Sequence, residues 1–446
     1  MSTVIEQPRY QCALGGALAT ISALPRTSAI IHASPGCGSS TDAAAMLGSG
    51  YWGPTYCNGR GTPSTNTQER EVVFGGEERL SEQIRATLRI IDADLFAVIT
   101  GCMSDIIGDD VSAVVREFKE SGHALVVAET GGFKGNSAKG YDLIWDAFIT
   151  QYVEKDLPVD PLQVNLLGLI PAQDVFWRGD LLELKRLLAA LGLKVNTFFT
   201  PFDTLEQLRT ASAAALNIVL SDISGQATAA KFSEVHGTPS LTLPIPIGPT
   251  ATRAFLLAVA QRFGIDEALV QQVIAEENRW YFSFIQHLAE CYNDLDLQRY
   301  AFIVGDSTYS LALTQFLAHD LGWIPYLTAI TDLLTDEEEQ RVRARFATLP
   351  EAVRPTVIFE TDSSQVITRA QACITIEPNP YGGNAIDPAF VLGSTLDRNL
   401  AVALNAGLLT VTYPVTNRVI TDQGYAGYRG GLRLATELLS VILSPR

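Results

Sequence analysis

An α/β fold of three Rossmann-like domains, each a mostly parallel sheet flanked by helices, is predicted by three features of the chain. Short apolar, β-branched runs alternate with helix-period stretches along its whole length. Several of those runs end in a glycine-bearing turn, the edge at which open parallel sheets build sites. At 446 residues the chain exceeds what one ordinary core serves. The expected boundaries are 1–157, 158–299 and 300–446, the first falling at the proline-bracketed Leu157-Pro158-Val159-Asp160-Pro161.

In the first domain Ala29–Ile31 is a short strand, followed by Pro35-Gly36 and a helix over Thr41–Leu47. The Gly, Pro, Asn and Thr content of Gly48–Thr67 predicts a long functional loop. Leu80, Ile84, Leu88 and Ile91 share one face of a helix over Gly76–Ile91. Leu95–Ile99 reads as a fully buried parallel strand, Val111–Lys119 as the helix behind it, and Ala124–Ala128 as the next strand, which runs into Gly131-Gly132-Phe133-Lys134-Gly135. The second domain has strands at Val164–Ile170, Lys194–Thr197, Asn217–Leu220 and Ser240–Leu243. Its helices are a leucine-rich one over Gly179–Leu191 and a long one over Ile265–Glu290. In the third, Tyr300–Val304 enters a Gly305-Asp306 turn and a helix; Trp323–Thr328, Thr356–Phe359, Ala372–Ile376 and Leu408–Val411 continue the strands, and Gly431–Leu443 is the last helix.

A net charge of −17 argues against non-specific nucleic-acid binding and favours locally basic protein partners. No signal peptide and no run of apolar residues long enough to span a membrane is legible, so a soluble, cytoplasmic protein is expected. Six cysteines in such a length do not make a disulfide scaffold. Cys291, in a helical pattern, and Cys373, in a strand pattern, read as small core residues.

Three others stand apart: Cys12 in Cys12-Ala13-Leu14-Gly15-Gly16, Cys37 in His32-Ala33-Ser34-Pro35-Gly36-Cys37, and Cys102 in Gly101-Cys102-Met103-Ser104-Asp105. Each lies in a glycine-bearing turn. Glycines let a backbone approach a bulky iron–sulfur group and aim N–H groups at its sulfur. Cys37, at an expected helix N-terminus, is placed where a thiolate is favoured. Scattered packing cysteines remain the alternative, since no C-x-x-C element is present. His32 could hydrogen-bond near the site or be an ordinary core or solvated histidine. Asp109-Asp110 reads as the N-cap of the following helix, with cation binding the alternative. No phosphate-binding loop, Rossmann glycine fingerprint, nucleophile elbow or H-E-x-x-H motif occurs.

Together these cysteine motifs, with Val73-Phe74-Gly75-Gly76 and Cys102-Met103-Ser104-Asp105-Ile106-Ile107-Gly108-Asp109-Asp110, resemble nitrogenase component 1 over nearly the whole chain. The resemblance implies that Cys12, Cys37 and Cys102 are the metal ligands by which the chain holds its half of an [8Fe–7S] P-cluster, shared with an α-like subunit in an α2β2 heterotetramer. It also implies an ATP-dependent [4Fe–4S] reductase as electron donor and an active-site metallocluster on the partner chain, with no catalytic residue here. Val219-Leu220-Ser221-Asp222-Ile223-Ser224 lacks the cofactor cysteine of α subunits and no histidine follows His319, so the chain is similar to β subunits. Gly132 stands where those subunits carry a serine that ligates the oxidised cluster, and Cys57 has no transferable role. Gln68–Gly76 is closer to α-type wording, and this mosaic favours a nitrogenase-like enzyme, methylthio-alkane reductase, acting on a C–S bond. A cofactor-assembly scaffold, a true nitrogenase β subunit and a tetrapyrrole reductase are the other members such a chain could be.

Overall fold

A computed structural model describes residues 4–51, 61–374 and 386–444. Its three sheets are wholly parallel, as buried apolar runs require when helices cover both faces. The first contains β1 (Thr27–His32), β2 (Leu95–Thr100) and β3 (Leu125–Ala128) in the order β1-β2-β3. Around it lie α1 (Ala13–Ala23), α2 (Cys37–Gly48), α3 (Glu69–Phe74), α4 (Glu77–Ile90), α5 (Cys102–Ile107), α6 (Val111–Glu120) and α7 (Ser137–Gln151). All six residues of β2, the middle strand, are buried.

The second sheet has β4 (Asp160–Leu167), β5 (Lys194–Asn196), β6 (Ala214–Val219) and β7 (Ser240–Thr242) in the order β5-β4-β6-β7. The third has β8 (Tyr300–Gly305), β9 (Ile324–Ile330), β10 (Thr356–Phe359), β11 (Ala389–Gly393) and β12 (Gly407–Thr410) in the order β10-β9-β8-β11-β12. Among the described residues no helix is long and apolar enough to cross a membrane.

Four expectations change. Ala389–Gly393, wholly buried between β8 and β12, is a central strand that the sequence reading passed over. Ala372 ends the helix Ser363–Ala372 and Cys373 caps it, so the start of the expected strand is helical, and residues 375–376 lie outside the described residues. The long helix stops at Ile285, passes through a tighter turn over Gln286–Leu288, and Cys291 sits half-buried in the short helix Ala289–Asp294 rather than in the core. Of the long loop, residues 48–51 and 61–67 are described: Ile31 N–H donates to Pro63 O at 2.8 Å and Thr65 N–H to Ile31 O at 3.0 Å, so the second stretch runs beside β1.

One hydrophobic core threads all three sheets, taking Ile31 and Ile99 from the first, Val164 and Ile218 from the second, and Ile303, Leu392 and Leu409 from the third. A polar strap reinforces it. Ahead of α1, Glu6 N–H and Gln7 N–H donate to the Asp362 carboxylate, and Arg9, buried, forms a two-pronged ion pair with Asp397 at 2.8 and 3.0 Å. The Tyr10 hydroxyl bonds that of Thr331 at 2.7 Å. Residues 6–10 are thereby laid over the C-terminal edge of the third sheet, although α1 packs with the first.

Candidate functional site

Parallel pairing sets the site. In the β1–β2 register His32 lies opposite Thr100, so both strands end together and their following turns leave at the same edge. Gly101 N–H donates to His32 O at 2.9 Å, and the Ser104 hydroxyl to the same oxygen at 2.6 Å. Only a glycine fits at 101, because a Cβ there would lie 2.6 Å from that of Ala33. Cys37 and Cys102 are then the first residues of α2 and α5. The turn before Cys37 depends on Gly36, at φ +91°, a conformation other residues rarely adopt.

The third thiol arrives from the strap. Cys12 precedes α1, and its segment pairs antiparallel with the end of the β3 loop: Ser137 N–H donates to Gln11 O at 2.8 Å and Ala13 N–H to Gly135 O at 2.9 Å. That loop carries Gly131 and Gly132. The Gly132 N–H donates to the Cys102 Sγ at 3.0 Å. A Cβ on Gly132 would stand 3.1 Å from the Cys102 Sγ and 3.5 Å from the Cys12 Sγ, so the absent side chain leaves the space between two thiols open. Cys37 is close enough to both that, after burial, their charge is what pushes its thiol pKa up. The expected lowering by the helix N-terminus is therefore outweighed. Cys12 and Cys102 are exposed and Cys37 is half-buried, so the group of thiols opens on the surface.

Among the described residues no three His, Cys, Asp or Glu side chains gather closely enough to hold a single metal ion. Three neighbouring thiols, two of them facing each other across a space that a Cβ would fill, suit a larger iron–sulfur group, which uses thiolates and draws on N–H···S bonds. Polar neighbours brace the turns. His32 is fully buried, with Nε2 2.9 Å from Asp109 Oδ2 and Nδ1 3.1 Å from the Thr65 hydroxyl; burial holds its pKa below the ordinary value, partly offset by Asp109. Asp109 also accepts from Gly76 N–H at 2.8 Å, while Asp110 caps α6 by accepting from Ala113 N–H at 2.9 Å. His32 is thus a core histidine, and both aspartates have structural partners. Cys57 lies outside the described residues.

Exposed apolar side chains lie on the elements next to the thiols. Phe74 on α3 is 83% exposed and Ile106 on α5 71%, with Val73 and Phe133 also exposed. This rim carries no sequence signal, because elements of three to six residues are too short for periodicity to tell an exposed side from a buried one. In the Val219–Ser224 stretch, Ser221 is buried with its hydroxyl 2.7 Å from that of Thr308, and the next residue, Asp222, forms a two-pronged pair with Arg345.

The sequence profile of the nitrogenase component 1 type oxidoreductases matches residues 12–443. The chain is 23% identical over 462 residues to the nitrogenase molybdenum-iron protein beta chain of Sinorhizobium fredii, covering 98% of this chain and 84% of the relative. It is 24% identical over 413 residues to the nitrogenase iron-iron protein beta chain of Rhodobacter capsulatus, covering 85% and 83%. A shorter match, 30% identical over 263 residues, is to the nitrogenase iron-molybdenum cofactor biosynthesis protein NifE of Methanococcus maripaludis; it takes in 58% of this chain and spans about half of that relative's length, 52%. The fold is shared with the solved structure of nitrogenase Cp1 at pH 6.5, with a TM-score of 0.79, 19% identity, and coverage of 99% of this chain and 94% of the other. The chain belongs to the nitrogenase component 1 type oxidoreductase family and is β-like within it.

Proposed function

We propose that this chain is the β-like, non-catalytic subunit of a nitrogenase-like reductase, holding its share of an [8Fe–7S] P-cluster through Cys12, Cys37 and Cys102. The observation that carries the reading is the approach of the Cys12 and Cys102 thiols across the space left by Gly132, with Cys37, from a third element, close enough to feel both. When bound, such a cluster supplies one-electron redox chemistry. The chain's own residues supply the thiolates, an N–H donor at Gly132, and a rigid backing through the Thr130 hydroxyl, which donates to Thr100 O at 2.8 Å. The exposed rim of Val73, Phe74, Ile106 and Phe133 supports burial of this face against an α-like partner in an α2β2 assembly, since exposed apolar patches mark association surfaces. The active-site metallocluster then belongs to the partner, and electrons come from an ATP-dependent [4Fe–4S] reductase; the lack of a cysteine in Val219–Ser224 supports this division. The α-type wording of Gln68–Gly76 supports a nitrogenase-like sub-family, with methylthio-alkanes as the proposed substrates of C–S bond reduction.

Iron analysis and EPR of the anaerobically purified complex test the assignment: about eight irons per αβ interface are expected, and their absence overturns it. Similarity to NifE favours a second reading, a scaffold that matures a cofactor and hands it on. Transfer of iron and activity to an apo-enzyme supports the scaffold, whereas reductase-dependent turnover without transfer supports the relay.

A further inference from the structure

Asp105 is not a thiol, yet it controls where one thiol's hydrogen bond comes from. It lies one turn after Cys102 on α5, with its side chain almost wholly buried. Its Oδ2 accepts from Gly131 N–H at 3.1 Å and from Lys134 Nζ at 3.0 Å, and Lys134 N–H in turn donates to Gly131 O at 2.9 Å. The loop Gly131–Lys134 is therefore gripped at both ends by one carboxylate. Between those grips Gly132 presents its N–H to the Cys102 Sγ. The grip is tight: a Cβ on Gly131 would lie 2.5 Å from Asp105 Oδ2. The turn's own bonds and the Lys134–Glu129 pair, 2.9 Å, hold its far end, but the two glycines have no side chains, and the Gly131 N–H is held from outside by Asp105.

We infer that Asp105 is a positioning residue: by clamping Gly131 and Lys134 it aims the Gly132 amide at the Cys102 sulfur, and so sets the electron affinity of the iron–sulfur group that sulfur holds. This rests on the cysteines being ligands. An N–H bond to a ligand sulfur withdraws charge and raises a cluster's potential. Charge and geometry separate cleanly at this position. Asp105→Asn removes the negative charge but keeps an acceptor for Gly131 N–H, whereas Asp105→Ala removes both.

The midpoint potential of the anaerobic complex with its α-like partner, read by EPR-monitored titration at equal iron content, is the test. Asp105→Ala is expected to titrate at a more negative potential than Asp105→Asn, with Lys134→Gln as the control for the charge of the ion pair. Equal potentials in the Ala and Asn variants overturn the inference. Hydrogen exchange over residues 129–135, measured on the iron-free complex, provides the second readout: the Gly131 and Gly132 amides should lose protection in Asp105→Ala and keep it in Asp105→Asn. Unchanged protection in Asp105→Ala also overturns it. A wild-type complex that binds no iron defeats the ligand assignment instead, and the exchange measurement still judges the clamp.

Discussion

Cys12 and Cys102 are residues whose value to the fold is small and whose placement is highly determined. Both are exposed, so removing a sulfur deletes no core contact. Cys102→Ala is accordingly expected to lower the iron content of the complex, by metal analysis, while the iron-free variant melts within a few degrees of iron-free wild type, by calorimetry. A full iron complement in that variant would exclude Cys102 as a ligand. The cysteines themselves were legible in the sequence because each is flanked by glycine. Their mutual approach was not, since it depends on the strap carrying Cys12 to the loop at Gly132 and on the β1–β2 register. Cys37 shows a local rule overridden: its position at a helix start favours the thiolate, but burial and two like-charged neighbours win.

At the scale of elements, α1 and α7 meet more closely than side chains allow. A Cβ on Gly16 would lie 2.0 Å from Ser137 O, and one on Gly140 1.9 Å from Ala13 O. Each glycine admits the backbone of the other helix, and this crossing fixes the residue after Cys12 beside the Gly131–Gly135 loop. Gly140→Ala should therefore cost at least the roughly 1–3 kcal/mol usual for overpacking, in a denaturant titration. It should also reduce iron content, since Ala13 is displaced with its neighbour. Helices with one clean apolar face, such as α4 and α6, could be read from spacing. By contrast α1, buried on most sides with glycines at its contact, offers no amphipathic period, and α7 is similar. β11 escaped although β2, equally buried, did not: its run is short, cut off by Pro388 and Gly393, and the sheet position that makes it central comes from far along the chain.

For the whole molecule, the junction between the second and third sheets is built from carboxylates with few cations. Asp174 follows β4, while Asp306 and Asp332 follow β8 and β9. Asp332 accepts from Ser307 N–H at 2.5 Å. Burial, then the neighbouring Asp306, pushes the Asp332 carboxyl up to about 7, and Asp174 and Asp306 are raised too, again by burial first. A raised carboxyl means that the folded chain holds a proton the unfolded chain releases. The contribution to stability is therefore complete below the ordinary carboxylate range and is lost as pH rises through about 7, at ~1.4 kcal/mol for each pKa unit. Asp332→Asn keeps an acceptor for Ser307 and should flatten this decline between pH 5 and pH 8 in urea titrations; an unchanged slope would contradict the assignment. Three parallel sheets were foreseeable from alternating strand and helix patterns, but their fusion through one core was not, because no local pattern tells which buried faces turn towards each other. The strap makes that fusion mechanical. Arg9 is fastened to the third sheet and Cys12, three residues later, to the first. So short a tether has little slack, and any tilt of one sheet body against the other would load the backbone on either side of Cys12, making that turn a strain gauge for the shape of the subunit.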